Sequence, residues 1–101
     1  MTGFRVSKAA LADLRSIGRY TEKQWGRLQR RLYLKGLNDG FKTLSVTPTI
    51  AAERQQFEPP VRIHPYEKHL IVYVLEEKGI LIVRVLHQSM DVPGQLSSDH
   101  K

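Results

Sequence analysis

The sequence predicts an α+β domain of order β-α-α-β-β-β, with a helical hairpin packed on an antiparallel sheet. Two observations carry that expectation. Residues 8–46 contain two runs with apolar side chains at helical spacing, separated by Gly26. Residues 61–88 contain three short runs rich in Val, Ile and Leu, separated by turn residues. Helices segregated from strands in this way fit an α+β layer arrangement, not an alternating α/β one. A chain of 101 residues is enough for one domain with a single modest core.

Taken in order, "GFRVS" at residues 3–7 alternates in polarity and reads as a short strand. Ser7 precedes "KAALADLRSIGRYTEKQW", where Ala10, Leu11, Leu14, Ile17 and Thr21 recur at helical spacing, so Ser7 is the expected N-cap. Gly26 ends this helix after Trp25. Leu34, Leu37, Phe41 and Leu44 mark a second helix, which should stop near Thr47-Pro48 because proline disfavours helical geometry in the residue before it. With so short a gap the two helices should be antiparallel. Residues 48–60, "PTIAAERQQFEPP", show little periodicity and read as a linker stiffened by Pro59-Pro60. Strands are expected at 61–66, 69–77 and 80–88, the last two joined by a Lys78-Gly79 turn in which Gly supplies positive φ. The domain is expected to span 1–93, and 94–101 to be a mobile tail.

Charge is distributed unevenly. Residues 8–46 hold nine basic side chains against three acidic ones (Asp13, Glu22 and Asp39), which accounts for the whole net charge of +6; the remainder sums to zero. Arg15, Arg19 and Lys23 recur every four residues on the first helix, and Arg27, Arg31 and Lys35 do so on the second. Like charges at that spacing repel by a few tenths of a kcal/mol per pair. The stripes are either a solvated face or a surface for an anionic partner. Trp25 has the same two readings, a cap on the core or an anchor for a partner.

Other classes drop out. Without cysteine there are no disulfides, thiolate metal sites or cysteine nucleophiles, and a reducing, cytoplasmic home is expected. The N-terminus lacks the pattern of a signal peptide, and no apolar run reaches the roughly 18 residues of a membrane span. Neither paired carboxylates at metal-binding spacing nor a glycine-rich phosphate loop is present, so no metal or cofactor is expected. In the hairpin, a Lys78-Gly79 turn would set Tyr73 opposite Arg84 and Leu70 opposite His87. Arg84 and His87 would then face opposite sides unless a bulge intervenes. Arg62 and His64 share a face of the neighbouring strand. With Tyr73 and Arg84 they could bind RNA phosphate and move a proton, or simply pack.

Several strings resemble a known family. "SKAALADLRSIGRYTEKQWG" is similar to the first helix of ParE toxins, an Ala/Leu-rich helix with "DL" and an aromatic-Thr-x-x-x-Trp-Gly ending. "VRIHPYEKHLIVYVLEEKGILIVRVLHQSMD" resembles their sheet, with Arg62, Pro65, His69-Leu70-Ile71, Tyr73 and a closing Arg-Val-Leu-His before an Asp. The resemblance covers residues 4–93 and implies the ParE/RelE superfamily of bacterial toxin-antitoxin modules, including its plasmid-stabilisation role and its β-α-α-β-β-β fold. It implies one of two actions: ParE-like inhibition of DNA gyrase that traps DNA breaks, or RelE-like cleavage of messenger RNA on the ribosome. For cleavage, Arg62, Arg84 and His87 would be the catalytic set. The residue after His87 is Gln88, not the Tyr that cleaving members often carry, and "AAERQQFEPP" holds no lysine pair. The expectation is therefore a gyrase inhibitor that is not an enzyme, contacting gyrase through Arg84, His87, Met90 and Asp91. A ParD-like antitoxin with an acidic C-terminal segment would bind Arg15, Arg19, Lys23, Trp25, Arg27 and Arg31, and promoter DNA would be reached only through that antitoxin. Loss of toxicity, leaving only antitoxin binding and co-regulation, is the third option.

Overall fold

The computed structural model describes residues 3–99. Strand β1 (Phe4–Val6) leads into helix α1 (Lys8–Trp25), helix α2 (Arg27–Val46), a short 3-10 turn (Pro48–Ile50), strands β2 (Glu53–Arg54), β3 (Val61–Tyr66), β4 (His69–Glu76) and β5 (Gly79–His87), and helix α3 (Val92–Asp99). The five strands form one sheet in the order β1-β5-β4-β3-β2.

The helix boundaries follow the local chemistry. Ser7 caps α1, its hydroxyl oxygen accepting the Ala10 N–H at 3.0 Å while its own hydrogen goes to the Val83 carbonyl at 2.8 Å. One side chain thus satisfies a helix end and ties it to the sheet. Gly26, at φ +92°, ends α1 and starts α2 without an intervening loop. Helix α2 stops at Val46, just before Thr47-Pro48.

Four differences from the sequence expectation stand out. The sheet is not wholly antiparallel: β1 runs parallel to β5, with Phe4 opposite Ile80 and Val6 opposite Ile82. The linker is not featureless, since Glu53 and Arg54 pair with Arg62 and Val61 as the edge strand β2. The β4–β5 turn consists of Glu77 and Lys78, with Glu76 opposite Gly79. That turn puts Ile82, not Arg84, opposite Tyr73, and a register shift at Val72/Tyr73 then puts Val72 opposite Arg84 and His69 opposite His87. Finally, α3 runs from Val92 past the expected domain end at 93, so residues 94–99 of the expected tail are helical and Leu96 is buried at 1% exposure; residues 100–101 lie outside the described residues.

Two apolar clusters sandwich the sheet. On the hairpin side, Ala10 and Ile17 of α1 and Leu37, Phe41 and Leu44 of α2 pack on Ile71, Tyr73, Ile80, Ile82 and Val85. On the other side, Val61, Ile63, Val72 and Leu86 are covered by Leu96 of α3. Each fully buried side chain of this kind stabilises by about 1.5–3 kcal/mol. The tail helix forms because the second sheet face is apolar and needs a cover, a demand its own weak sequence pattern does not announce.

Candidate functional site

Five of the six cations in the two hairpin stripes have no carboxylate partner among the described residues; the sixth, Lys35, pairs with Asp39. Arg15, Arg19, Lys23, Arg27 and Arg31 are all exposed. The three carboxylates of the same segment are engaged elsewhere: Glu22 with Arg30 at 2.7 Å, Asp39 with Lys35 at 3.0 Å, and Asp13 with Arg84 on β5 at 2.7 Å. Among the described residues no carboxylate lies within ion-pair distance of the five stripe cations; Arg19 only donates to the Ser16 hydroxyl at 3.2 Å.

Beside these cations lies uncovered apolar surface. Trp25 is 71% exposed, so it does not cap the core; α1 makes its last buried contact at Thr21, and Trp25 lies a turn beyond it. Leu28 and Leu32 of α2 are 67% and 52% exposed, and Tyr20 of α1 is also exposed. Leu28 is nine residues, about two and a half turns, from the buried Leu37, which puts it on the solvent face. That offset from the Leu37, Phe41, Leu44 stripe is a signal the sequence offered, and it passes for noise until the core stripe is fixed.

The predicted sheet residues meet different fates. Arg84 does not project as a free cation. Its Nε and Nη2 donate to the two oxygens of Asp13 at 2.7 and 2.8 Å, and the Val85 N–H donates to Asp13 Oδ2 at 2.9 Å. Just past the bulge at Val83, Asp13 of α1 thus meets both the Arg84 guanidinium and the backbone N–H of Val85, tying the first helix to β5. From Arg84 to His87 the pairing is regular, so the two alternate onto opposite faces of the strand, as the sequence predicts. His87 meets the ring edge of His69, with centroids 5.4 Å apart. Its Nδ1 accepts the Ser89 N–H at 3.1 Å, with the Ser89 hydroxyl 2.7 Å away. His69 Nδ1 shares a 2.6 Å hydrogen bond with the Tyr33 hydroxyl of α2. Burial first, and His87 second, hold His69 below the ordinary histidine range, while burial pushes the Tyr33 phenol up. Met90 and Asp91 are exposed at the exit of β5.

Arg62 stands apart from these groups. It lies opposite Tyr73 and donates from Nη1 to the Ala51 carbonyl at 2.6 Å. Tyr73 is fully buried and donates to the Pro48 carbonyl at 2.6 Å; burial pushes its phenol up. Across the sheet His87 aligns with His69 and Tyr66, four residues and about 13 Å along β3 from Arg62. Arg62, Arg84 and His87 therefore do not converge on one reacting atom. Among the described residues no group of three His, Cys, Asp or Glu side chains could hold a metal ion.

The order of elements, the hairpin and the Asp13–Arg84 link between helix and sheet can be set beside known proteins. The family profile for the ParE toxin of the type II toxin-antitoxin system, parDE, matches residues 4–92. The chain belongs to the ParE toxin family. It is 33% identical over 99 residues to Toxin ParE of Escherichia coli, covering 96% of this chain and 95% of that protein. With Toxin ParE1 of Mycobacterium tuberculosis (strain CDC 1551 / Oshkosh) it shares 32% identity over 94 residues, covering 92% and 96%. A solved chain of the chromosomal ParDE system from P. aeruginosa has the same fold, with a TM-score of 0.73 at 21% identity over 86% of this chain and 96% of that one. In this ParE toxin the family-like "DL" of α1 has a physical role. Its Asp13 is the carboxylate that fixes Arg84 and the β5 bulge, a role the sequence alone assigned to no residue.

Proposed function

We propose that this ParE-family chain is the toxin of a bacterial type II toxin-antitoxin module, that it inhibits DNA gyrase and thereby traps DNA breaks, and that a ParD-like antitoxin neutralises it. The observation that carries the antitoxin half is the juxtaposition on the hairpin of five unpaired cations with exposed Trp25, Leu28 and Leu32. That chemistry suits an amphipathic acidic segment, with apolar side chains on the Trp-Leu ridge and carboxylates on Arg15, Arg19, Lys23, Arg27 and Arg31. Promoter DNA is reached through the antitoxin, and the module acts in the cytoplasm; no helix among the described residues is long and apolar enough to cross a membrane.

Family membership supports the gyrase half. His87, Met90 and Asp91, at the open end of β5, are the contact residues of this reading. Arg84 acts through its bond to Asp13 by holding that end in shape. The protein is not itself an enzyme in this reading, because Arg62 is held by Ala51 and Arg84 by Asp13, and neither stands beside His87.

The deciding experiment is a supercoiling assay with gyrase, relaxed plasmid, ATP and titrated protein, followed by denaturation. Loss of supercoiling with accumulating linear DNA is expected. Undiminished supercoiling at large molar excess sinks the gyrase reading and makes cleavage of ribosome-bound messenger RNA, or a non-toxic antitoxin-binding role, the reading to test. For the antitoxin half, exchanging Arg15 and Arg19 for Glu should weaken antitoxin binding at low salt.

A further inference from the structure

The two cationic stripes border one seam between the helices. Gly18 of α1 lies against Arg30 and Leu34 of α2, and Glu22 of α1 pairs with Arg30 at 2.7 Å. One residue before these seam positions, Ile17 and Thr21 are buried, and Tyr33 bonds to His69 of the sheet. One residue after them come Arg19, Lys23, Arg31 and Lys35, about 100° round their helices on the side away from the sheet. All four are exposed. Lys8 and Arg15 continue the α1 row, and Arg27 and Lys42 the α2 row, again exposed. Apart from the Lys35–Asp39 pair, none of these cations has a carboxylate within ion-pair distance among the described residues.

We infer that the free chain binds the phosphate backbone of duplex DNA along these two rows, without reading base sequence. Lys8 to Lys23 and Arg27 to Lys42 each run about 23 Å, two-thirds of the roughly 34 Å of one B-form turn. From Arg15 to Lys23 the exposed side chains are Arg15, Ser16, Arg19, Tyr20 and Lys23. Cations and hydroxyls of this kind hold phosphate oxygens, whereas an apolar-flanked peptide finds nothing to fill along that row. Tyr20 and Trp25 are the exposed aromatic residues among the described ones, too few to form a track on which unpaired bases stack. Two rows of positive charge side by side suit the high charge density of a duplex, one phosphate per about 1.7 Å of axis with both strands counted.

The contact touches no base edge and so leaves promoter recognition to the antitoxin. It rests on neither the gyrase reading nor the antitoxin reading. Because the antitoxin reading uses several of the same cations, bound antitoxin and bound DNA should exclude each other.

The test is fluorescence anisotropy of a labelled duplex of arbitrary sequence, about two helical turns long, titrated with the full chain between about 50 and 200 mM salt. Binding is expected with log K falling against log salt at a slope of about −4, as for four to five phosphate contacts. Arg15→Gln combined with Arg19→Gln should flatten the slope by about 2 and weaken binding about tenfold or more at the low-salt end. Arg54→Gln combined with Lys78→Gln, which removes exposed cations outside the hairpin, should leave the slope unchanged. Trp25→Ala should keep DNA binding within about twofold while weakening antitoxin binding, which separates a failure of one reading from a failure of the other. All these changes lie at exposed positions, and circular dichroism checks that each variant is folded. No binding at the low-salt end, a slope shallower than about −2, loss of binding in Trp25→Ala, or an equal loss in the Arg54/Lys78 variant would each overturn the proposal. Single-stranded DNA or polyglutamate binding as tightly as the duplex would overturn it too, making the rows a single-strand site or a receptor for acidic polypeptide.

Discussion

The sheet-facing side of the helical hairpin and its solvent side are built from the same kinds of residue and handle them in opposite ways. On the sheet side, Arg84 has Asp13, Tyr73 has the Pro48 carbonyl, and Leu37 and Leu44 are fully buried. On the solvent side, Trp25, Leu28 and Leu32 lie open, and five cations have no carboxylate among the described residues. The first arrangement contributes to folding. The second contributes almost nothing to it, since exposed apolar surface gains no burial and like charges repel. A surface that costs stability and is nonetheless well formed is best explained by binding.

Mutations sharpen this contrast, and the largest effect belongs to the sheet side. Asp13→Ala removes the carboxylate that meets Arg84 at 2.7 Å, at sites only 12% and 14% exposed, and it strips the Val85 N–H of its acceptor. A loss of about 3–5 kcal/mol is expected in urea denaturation. A loss below 1 kcal/mol would mean that the bulge is held by something else. Gly79→Ala comes next. At φ +140° a new Cβ would run into the Gly3 backbone, whose carbonyl accepts the Ile80 N–H, so β1 must detach or shift. The cost should be on the order of 2 kcal/mol, with amide exchange accelerated first at Ser7, whose N–H donates to the Ile82 carbonyl. Gly36→Ala is smaller, roughly 1–2 kcal/mol, because its Cβ would meet the Tyr66 hydroxyl, and the cost should fall when Tyr66→Phe is added.

The fourth prediction concerns pH. His69 titrates below its unfolded value of 6.5, so the folded state binds fewer protons than the unfolded one. Its stability contribution is fully present above that value and is lost as pH falls through the lower folded pKa. The midpoint of urea denaturation should therefore decline on acidification below about 6.5, and Tyr33→Phe should alter the decline. A midpoint flat across that window would remove the assignment. The smallest stability effect belongs to the solvent side: Trp25→Ala should change stability by no more than about 0.5 kcal/mol. The same change should weaken antitoxin binding by about 2 kcal/mol or more. An unfolded Trp25→Ala variant would contradict the contrast at its root.

Much of the fold was legible because its signals are local. Ser7, Gly26 and Thr47-Pro48 mark helix ends through the chemistry of one or two residues, and the 3.6-residue stripes of α1 and α2 are contiguous. The proposed binding surface was half legible. The cationic stripes are visible as spacing, whereas Leu28 and Leu32 become meaningful only once Leu37, Phe41 and Leu44 are known to face the sheet. The sheet register departs from expectation for two separate reasons. A two-residue turn can lie at 77–78 or 78–79, and Gly79, which marks a turn in the sequence, is instead needed where the Gly3 backbone passes close to it; the bulge at Val83 depends on Asp13, far away in the chain.

By itself the sequence determined the hairpin, the three main strands, the absence of cysteine chemistry and the concentration of positive charge on two helices, since each depends on residues adjacent or a few positions apart. Tertiary structure decided the rest. It added β1 in parallel, bulged β5, joined Arg84 to Asp13 seventy-one residues away, folded 92–99 over the second face, and left Trp25 in solvent. Those outcomes depend on which distant surfaces need cover and which distant charges need partners, and no window of local sequence contains that information.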